Sequence, residues 1–367
     1  MAKRLPPQQE RGWPEAAAGD GAQEAAARDG AQEAPPAPTA LSRGSWKTAA
    51  KRTLAEYQED NLQDRAAALT YFSIQSIFPG LLVLVTLLGL LGTSVTQNLI
   101  DQLTTTVPGS VNTIVSNALK HLQHNHSAAG ILAVVGLAVG LWSASAYVAA
   151  FMRAANVIYD VPEGRPAWIT IPVRLAVTVA MLVLLVFSVV IVVVSGGVAR
   201  HVGDALGLGS AAVTAWGIAK WPVLVIIVSI MLAILYWASP NARHGFRWVS
   251  PGGLLAVLLW LVASGLFALY VAFFGNYNKV YGALGGIIIF LIWMWLSNTA
   301  ILLGAEFNAE LERERAIAGG VPPDREPFTE LRDDRKLRKK KSRSRFARRS
   351  SAPGSSPEGD SLTKVRE

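Results

Sequence analysis

The chain contains no cysteine, and its central region, residues 66–305, is poor in charge. Without cysteine the fold has no disulfide, no thiolate metal site and no thiol nucleophile. Residues 66–305 carry only 13 formal charges, 9 basic and 4 acidic. A water-soluble domain of that size needs far more polar surface. We therefore expect the middle of the chain to face lipid, which excludes a soluble enzyme.

Recognisable catalytic and metal-binding patterns are also missing from the sequence. It has no Walker A motif, no nucleophile elbow, no HExxH pattern and no pair of carboxylates within an apolar run. His121, His124 and His126 have no acidic or thiolate residue nearby, and their spacing matches no common zinc site. We expect no enzyme activity, and hence no catalytic residue, metal or cofactor.

Long apolar runs are what the sequence does have. Each run reaches the roughly 20 residues that a helix needs to cross about 30 Å of hydrocarbon. The runs lack the alternating polar positions of a membrane β-barrel strand, so only helices would satisfy their backbone amides in lipid. The sequence thus predicts an all-α polytopic membrane protein with about six transmembrane helices, at residues 69–92, 131–151, 171–198, 218–238, 251–275 and 284–305.

The segments that flank this transmembrane domain, residues 66–310, differ from it in composition. Residues 1–45 are rich in Ala, Gly, Pro and Glu, which predicts a disordered N-terminal tail. Residues 46–65 place apolar side chains at helical intervals among basic ones, which predicts an amphipathic helix on the membrane surface. Residues 311–367 are expected to form a basic, disordered C-terminal tail.

The C-terminal tail holds ten Lys or Arg residues from Arg335 to Arg349. Each basic residue close to an anionic leaflet contributes about 1 kcal/mol, so this segment is a candidate for contact with anionic lipid. Nucleic acid is the weaker reading and is not expected as a partner, because only Phe346 could stack on a base. A solvated tail with no specific partner stays equally open.

Lys and Arg in the connections between the apolar runs are distributed unevenly. Positively charged loops remain on the cytoplasmic side of a membrane, so the asymmetry predicts that both termini are cytoplasmic. One side would hold Lys47, Lys51, Arg52, Arg65, Arg153, Arg165, Arg243, Arg247 and the basic C-terminus, and the other only Lys120, Arg200, Lys220 and Lys279.

The first run contains Pro79, which would free a backbone carbonyl near Gln75. Freed carbonyls inside a bilayer must face protein or water. One reading is a kinked helix that lines a cavity, with Gln75 and Ser76 on its polar stripe. The other is a packing kink whose carbonyl is satisfied by Ser or Thr hydroxyls.

A second group of candidate cavity or gate residues lies around the connection between the second and third runs. This group consists of Arg153, Asn156 and Tyr159. One reading is a gate or a contact for an anion. The other is a helix terminus whose long arginine side chain extends to the membrane interface. Arg174 lies inside the third run, where a guanidinium usually faces a partner or water.

The last candidates lie in or before the sixth run. Asn276, Tyr277 and Tyr281 belong to a polar loop dense in aromatic and amide side chains. Asn298 would form a hydrogen bond across a helix interface. Glu306 is either a deep carboxylate that carries a proton or binds a cation, or simply the beginning of the soluble tail.

Several short segments in this order resemble the YihY/BrkB family of bacterial inner-membrane proteins. They are the stretch AAALTYFSIQSIFP at 66–79, NVIY at 156–159 with RPAW at 165–168, and YGALG at 281–285 through LGAEFN at 303–308. The resemblance implies a six-helix inner-membrane protein with both termini inside. Labels attached to the family include virulence factor, ribonuclease BN and transporter-like proposals involving envelope lipids. The ribonuclease label is not expected to apply, since no residue set here could hold a metal or activate water on RNA.

We therefore expect a transporter-like protein, or one that handles lipids of the envelope. The alternative is a non-transporting scaffold for envelope-assembly proteins. Membrane lipids are the expected partners in either case. The sequence leaves open a homo-oligomer or other envelope proteins as partners.

Overall fold

The structure, a computed structural model, describes residues 35, 37–89, 129–193, 210–245, 250–273, 283–340 and 342. In these ranges a short 3₁₀ helix, Pro38–Ala40, precedes the long α-helices. A single antiparallel bridge, between Ala242 and Leu331, is the β-structure of the described residues. The long helices are α1 (Arg43–Glu59), α2 (Leu62–Gly89), α3 (Ala129–Ile158), α4 (Ala167–Val193), α5 (Ser210–Ala238), α6 (Pro251–Phe273) and α7 (Ala283–Ala318).

Five of the helices are long and apolar enough to cross a membrane, counting only the residues that the structure describes. The predicted all-α membrane protein is confirmed at that level. The first predicted run lies on α2, whose side chains are described only as far as Ile77 and at Pro79. The five stretches are Gly136–Ile158, Ala167–Val192, Val213–Ala238, Pro251–Ala272 and Gly285–Ala318.

Two helices meet where one surface helix was predicted at residues 46–65. Helix α1 is capped by Ser42, whose hydroxyl accepts a hydrogen bond from the Ser45 amide at 3.1 Å. The helix ends before Asn61, whose φ of 50° lies in the left-handed region that terminates helices. Helix α1 packs on protein, because Trp46 contacts Phe307 of α7 with ring centroids 5.8 Å apart; its predicted position on the membrane surface stays a prediction.

The core lies between α2, α3, α5 and α7. Phe151 of α3 is fully buried and stacks on Tyr236 of α5, with ring centroids 6.1 Å apart. Helices α6 and α7 cross at Gly252 and Gly304, where a Cβ on either glycine would overlap the carbonyl oxygen of the other. Close backbone approach of this kind is how helices associate in lipid, which provides no hydrophobic drive between them.

The outward faces of α4, α5, α6 and α7 are apolar and exposed. In a water-soluble protein such large exposed apolar surfaces are rare, whereas in lipid they are the ordinary protein surface. These helices therefore present to acyl chains the side chains of Phe187, Val192, Ile218, Ile226, Leu261, Val262, Leu266, Leu269 and Ile287, each at least half exposed.

The C-terminal part differs from the predicted disorder of residues 311–367. Helix α7 continues to Ala318, and residues 321–340 fold back against the connections between helices. The Arg332 amide donates to the Asn241 carbonyl at 2.8 Å, and the Lys336 amide donates to the Gly164 carbonyl at 2.9 Å. These bonds join residues far apart in the sequence, so local composition does not indicate them. Residues 343–367 lie outside the described part.

One end of the helix bundle gathers the described basic connections, and we call it the basic end. It comprises α1, residues 159–166, residues 239–245 and 250, and residues 319–340. The backbone hydrogen bonds of Arg243 with Glu330 and of Arg332 with Asn241 tie these segments together. The basic end is thus a packed structure, and the positions of the candidate polar side chains are described relative to it below.

Candidate functional site

Two arginines project from a lateral surface formed by α2, α3 and α4, which we call the arginine surface (Phe72, Trp142, Arg153 and Arg174). The Arg174 guanidinium lies over the Trp142 ring, 4.2 Å from its centroid. Its Nε and Nη2 atoms are buried without a hydrogen-bond partner. The Arg153 guanidinium lies over the Phe72 ring at 5.4 Å, with the Arg153 side chain exposed.

The two guanidinium groups are within electrostatic range of each other. Among the residues that the structure describes, no carboxylate pairs with Arg153 or Arg174. Aromatic rings stabilise a cation by about 0.5–2 kcal/mol, which offsets only part of the cost of placing it in a membrane. The arginine surface therefore carries positive charge that is not neutralised by the described protein.

Helix geometry places both arginines below the basic end. Arg174 is seven residues into α4, so its Cα lies about 10 Å from the helix start. Arg153 is five residues before the end of α3, about 8 Å from that end. Helix α4 is about 40 Å long, and if it is centred in the bilayer the Arg174 Cα lies roughly 5 Å inside the hydrocarbon boundary.

The candidates on α2 lie partly beside the arginine surface. Gln75 is exposed and is three residues from Phe72, so the two occupy the same helix face. Ser76 is half-buried and donates to the Ser143 carbonyl of α3 at 3.5 Å. Pro79 lies within α2, whose helix continues through it to Gly89. Gln75 can therefore join the arginine surface, while Ser76 contacts the neighbouring helix.

Asn298 joins three helices inside the bundle. Its Nδ2 donates to the Thr70 hydroxyl of α2 at 3.1 Å, and its Oδ1 accepts from the Tyr147 hydroxyl of α3 at 3.0 Å. Asn298 and Thr70 are buried. The bond across a helix interface expected for Asn298 is present, and its partners assign this side chain to helix packing and not to the arginine surface.

Asn156 and Tyr159 lie at the basic end and are buried there. Asn156 donates to Glu163 Oε2 at 2.9 Å and accepts from the Asn241 amide at 2.7 Å. Tyr159 stacks on His244, with ring centroids 5.1 Å apart. These two residues connect the α3–α4 turn to the segment after α5, so in this structure they close the basic end.

Arg165 and Glu163 form the centre of that connection. Arg165 is only 2% exposed; its Nε and Nη2 donate to the two oxygens of Glu163, each at 2.8 Å. Nη2 also donates to the Ser239 carbonyl at 2.7 Å. Burial raises the pKa of Glu163, but the hydrogen bonds and charge of Arg165 outweigh it, so the pKa lies below its ordinary value.

Glu306 lies in α7 and is almost completely buried, at 1% exposure. Its Oε2 atom has no hydrogen-bond partner. Its neighbour one turn later, Glu310, accepts from Arg52 Nε of α1 at 2.8 Å. The two carboxyl groups therefore have different surroundings on the same helix.

Sequence reasoning missed the aromatic partners of the arginines and the partners of the basic end. Trp142 and Phe72 carry no sequence signal as partners of a cation, because each ring contacts an arginine on a different helix. Asn241 and Asp333 had no sequence signal, because the bond from Asn241 Nδ2 to the Asp333 carbonyl (2.8 Å) joins distant segments. Asn276, Tyr277 and Tyr281 lie outside the described residues. No group of three or more candidate metal-ligating side chains occurs in the part that the structure describes.

The fold defines a polytopic α-helical membrane protein, and the candidate polar residues that the structure describes lie on its helices and at the basic end. Residues 53–327 match the family described as "Virulence factor BrkB", and the chain belongs to that family.

Several bacterial proteins are similar in sequence to most of the helical domain. The ribonuclease-like protein YfkH of Bacillus subtilis is 31% identical over 76% of this chain and 98% of its own length. A UPF0761 membrane protein of Chromohalobacter salexigens is 30% identical over 76% of this chain and 68% of its own. One of Alkalilimnicola ehrlichii is 29% identical over 72% of this chain and 59% of its own. No solved structure matches the chain.

Proposed function

We propose that this protein binds an anionic lipid of the bacterial inner membrane at the arginine surface and takes part in its movement or handling. The observation that carries the proposal is the pair Arg153 and Arg174, two cations without a carboxylate partner in the described residues, on helices α3 and α4 that are long and apolar enough to cross a membrane. The proposed activity involves no covalent chemistry. The ribonuclease-like name belongs to the Bacillus relative, and we do not extend it to this chain.

A lipid phosphate is the anion that this position favours. Arg binds phosphate through two parallel hydrogen bonds, and such charge-assisted bonds are about twice as strong as neutral ones. Arg174 Nε and Nη2 are two donors on one side of the guanidinium that lack protein partners. The acyl chains of such a molecule would stay in the bilayer while its headgroup approaches the exposed Arg153. Because Arg174 Nε and Nη2 are buried beside the Trp142 ring, binding at these two donors requires local movement of that side chain.

The proposal includes an orientation. With the basic end in the cytoplasm, as the positive-inside rule favours, both termini are cytoplasmic and the arginine surface faces the inner leaflet. The anionic lipids of that leaflet would then also attract the basic segment that starts at Arg335. An arginine that lies below the level of the phosphates would draw a headgroup inward, which is the first step in moving a lipid.

Lipid retention by the purified protein tests the binding. We compare wild type with R174Q and R153Q, and use R243Q as control, because the Arg243 side chain at the same end is 73% exposed. A hydrogen bond to a charged group contributes about 1.5–3 kcal/mol, so R174Q should bind anionic phospholipid roughly 10- to 150-fold more weakly. Native mass spectrometry with phosphatidylglycerol and phosphatidylcholine measures this. Equal retention by R174Q and R243Q would contradict the proposal.

A second experiment separates lipid movement from the scaffold alternative. Proteoliposomes with a headgroup-labelled anionic lipid report exchange between leaflets, which R174Q should abolish. A scaffold would show no exchange, and its interactions would depend on the basic tail. The informative truncation removes residues 343–367, since a longer one would also remove the packed segment 321–340. Lipid exchange that survives this truncation but is lost in R174Q supports the proposal.

A further inference from the structure

Glu306 is a buried carboxyl group that the proposed lipid site does not use. It lies on the inner face of α7, in the same turns as the buried Leu302, Ala305 and Ala309. Its Oε2 atom has no hydrogen-bond donor. Moving an unpaired carboxylate from water into such surroundings costs several kcal/mol, and taking up a proton removes that cost.

Among the residues that the structure describes, no cation forms an ion pair with Glu306. Helix α6, which packs closely on α7, has no charged residue. Arg52 of α1 is bonded to Glu310 and Glu56. Arg65 of α2 donates to the Asp60 carbonyl. Burial acts on Glu306 first, and the carboxyl groups of Asp60, Glu310, Glu56 and Asp160 add repulsion of a negative charge there.

We propose that Glu306 is a proton-binding site and holds its proton in the conformation described here. Release to water leaves a carboxylate that must be hydrated, surrounded by other acidic groups. Like charges in a low-dielectric site repel strongly, so ionisation would favour separation of α1 and the start of α2 from α7. The junction at Asn61 is where α1 and α2 could change their relative direction. The site therefore makes the packing of the basic end sensitive to protons.

This inference is independent of the lipid proposal. Glu306 faces the bundle interior, whereas the arginine surface faces sideways between α2, α3 and α4. The variant E306Q should leave retention of phosphatidylglycerol unchanged. Loss of lipid binding in R174Q and loss of proton sensitivity in E306Q would thus be separate results, and failure of one would leave the other standing.

Unfolding midpoints measured against pH in detergent test the site. A carboxyl group that is protonated in the folded state stabilises that state at low pH. This stabilisation is lost as the pH rises to the pKa of the group in the folded protein. The folding equilibrium then changes up to tenfold per pH unit, which corresponds to roughly 3–5 °C per pH unit in the midpoint for a domain of 150–250 residues. We expect the wild-type midpoint to fall as pH rises above about 4.3, the ordinary value for glutamate, until Glu306 ionises in the folded protein, and the E306Q midpoint to fall by less than half as much over the same range.

The variant E310Q is the matched control, because Glu310 is equally buried on the same helix face but is paired with Arg52. It should lower the midpoint throughout and keep the fall with rising pH, which should end at a somewhat lower pH than in wild type because one of the carboxylates that repel a charge on Glu306 has been removed. Infrared spectra at neutral pH should show a protonated carboxyl band that is lost in E306Q and retained in E310Q. An E306Q protein that fails to fold, retains the full pH dependence or keeps the band would overturn the proposal.

Discussion

Replacement of Arg165 by methionine should destabilise the basic end more than any change to an exposed arginine there. Methionine has a similar length but no charge or donor. The substitution leaves Glu163, whose side chain is 28% exposed, without its cation, and removes donors from the carbonyls of Ala238 and Ser239. Breaking a buried ion pair by removing one partner costs about 3–5 kcal/mol. Because Glu163 retains some contact with solvent, we expect about 3 kcal/mol, a roughly 100-fold change in the folding equilibrium.

Tryptophan fluorescence during heating in detergent measures this effect. For a domain of 150–250 residues, 3 kcal/mol corresponds to a decrease of about 6–12 °C in the midpoint. The control is R243M, because the pair of Arg243 with Glu330 is exposed on both sides and contributes at most about 1 kcal/mol. The reasoning is refuted if R165M and R243M have the same midpoint.

The same pair predicts a dependence on acid. Arg165 lowers the pKa of Glu163 in the folded state, so the carboxylate stabilises the protein above its ordinary pKa of about 4.3. This contribution is lost as pH falls through the lowered folded value. Wild type should therefore lose stability between about pH 5 and pH 3, and E163Q should lose less over that range. A steeper acid loss in E163Q than in wild type would show that the sign is wrong.

Three other substitutions test the helix contacts, each by the same thermal assay. G304A should lower the free energy of unfolding by about 1–3 kcal/mol, because its Cβ would meet the backbone of α6. The control G265A should be neutral or slightly stabilising, because a Cβ there meets open space. Equal midpoints for the two variants would refute the close crossing. N298L should cost roughly 1–3 kcal/mol for two interhelical hydrogen bonds, and an unchanged midpoint would show that these bonds contribute nothing. E310Q should cost about 1 kcal/mol, since its partner Arg52 is partly exposed, and R52Q combined with E310Q should cost less than the sum of both.

The helices of the membrane domain could be predicted because their cause is local. A run such as 171–198 is apolar at nearly every position, and lipid leaves a helix as the only structure for its backbone. The helix Ala167–Val193 begins four residues before the predicted start at residue 171, and residues 194–198 of the predicted run lie outside the described part. Such ends depend on capping and packing and not on hydropathy.

The candidate site could be predicted only in part. Arg174 stood out because an arginine within an apolar run is rare, and the structure places it over Trp142. Its proximity to Arg153 could not be read from the sequence, since the two lie on different helices. Asn298 was expected to bond across an interface, but Thr70 and Tyr147 could not be named, because the partners depend on how α2, α3 and α7 face one another.

The basic end shows most clearly which features the sequence predicts and which depend on the tertiary structure. The sequence by itself determined that residues 66–305 must be solvated by lipid, because they hold too few charges for water and apolar runs long enough to cross a bilayer. Only the tertiary structure decided that residues 321–340 pack on Asn241 and Gly164, and that Glu306 is buried while Glu310 meets Arg52. Hydropathy acts on each segment alone, whereas burial of a polar group depends on which distant segment supplies its partner.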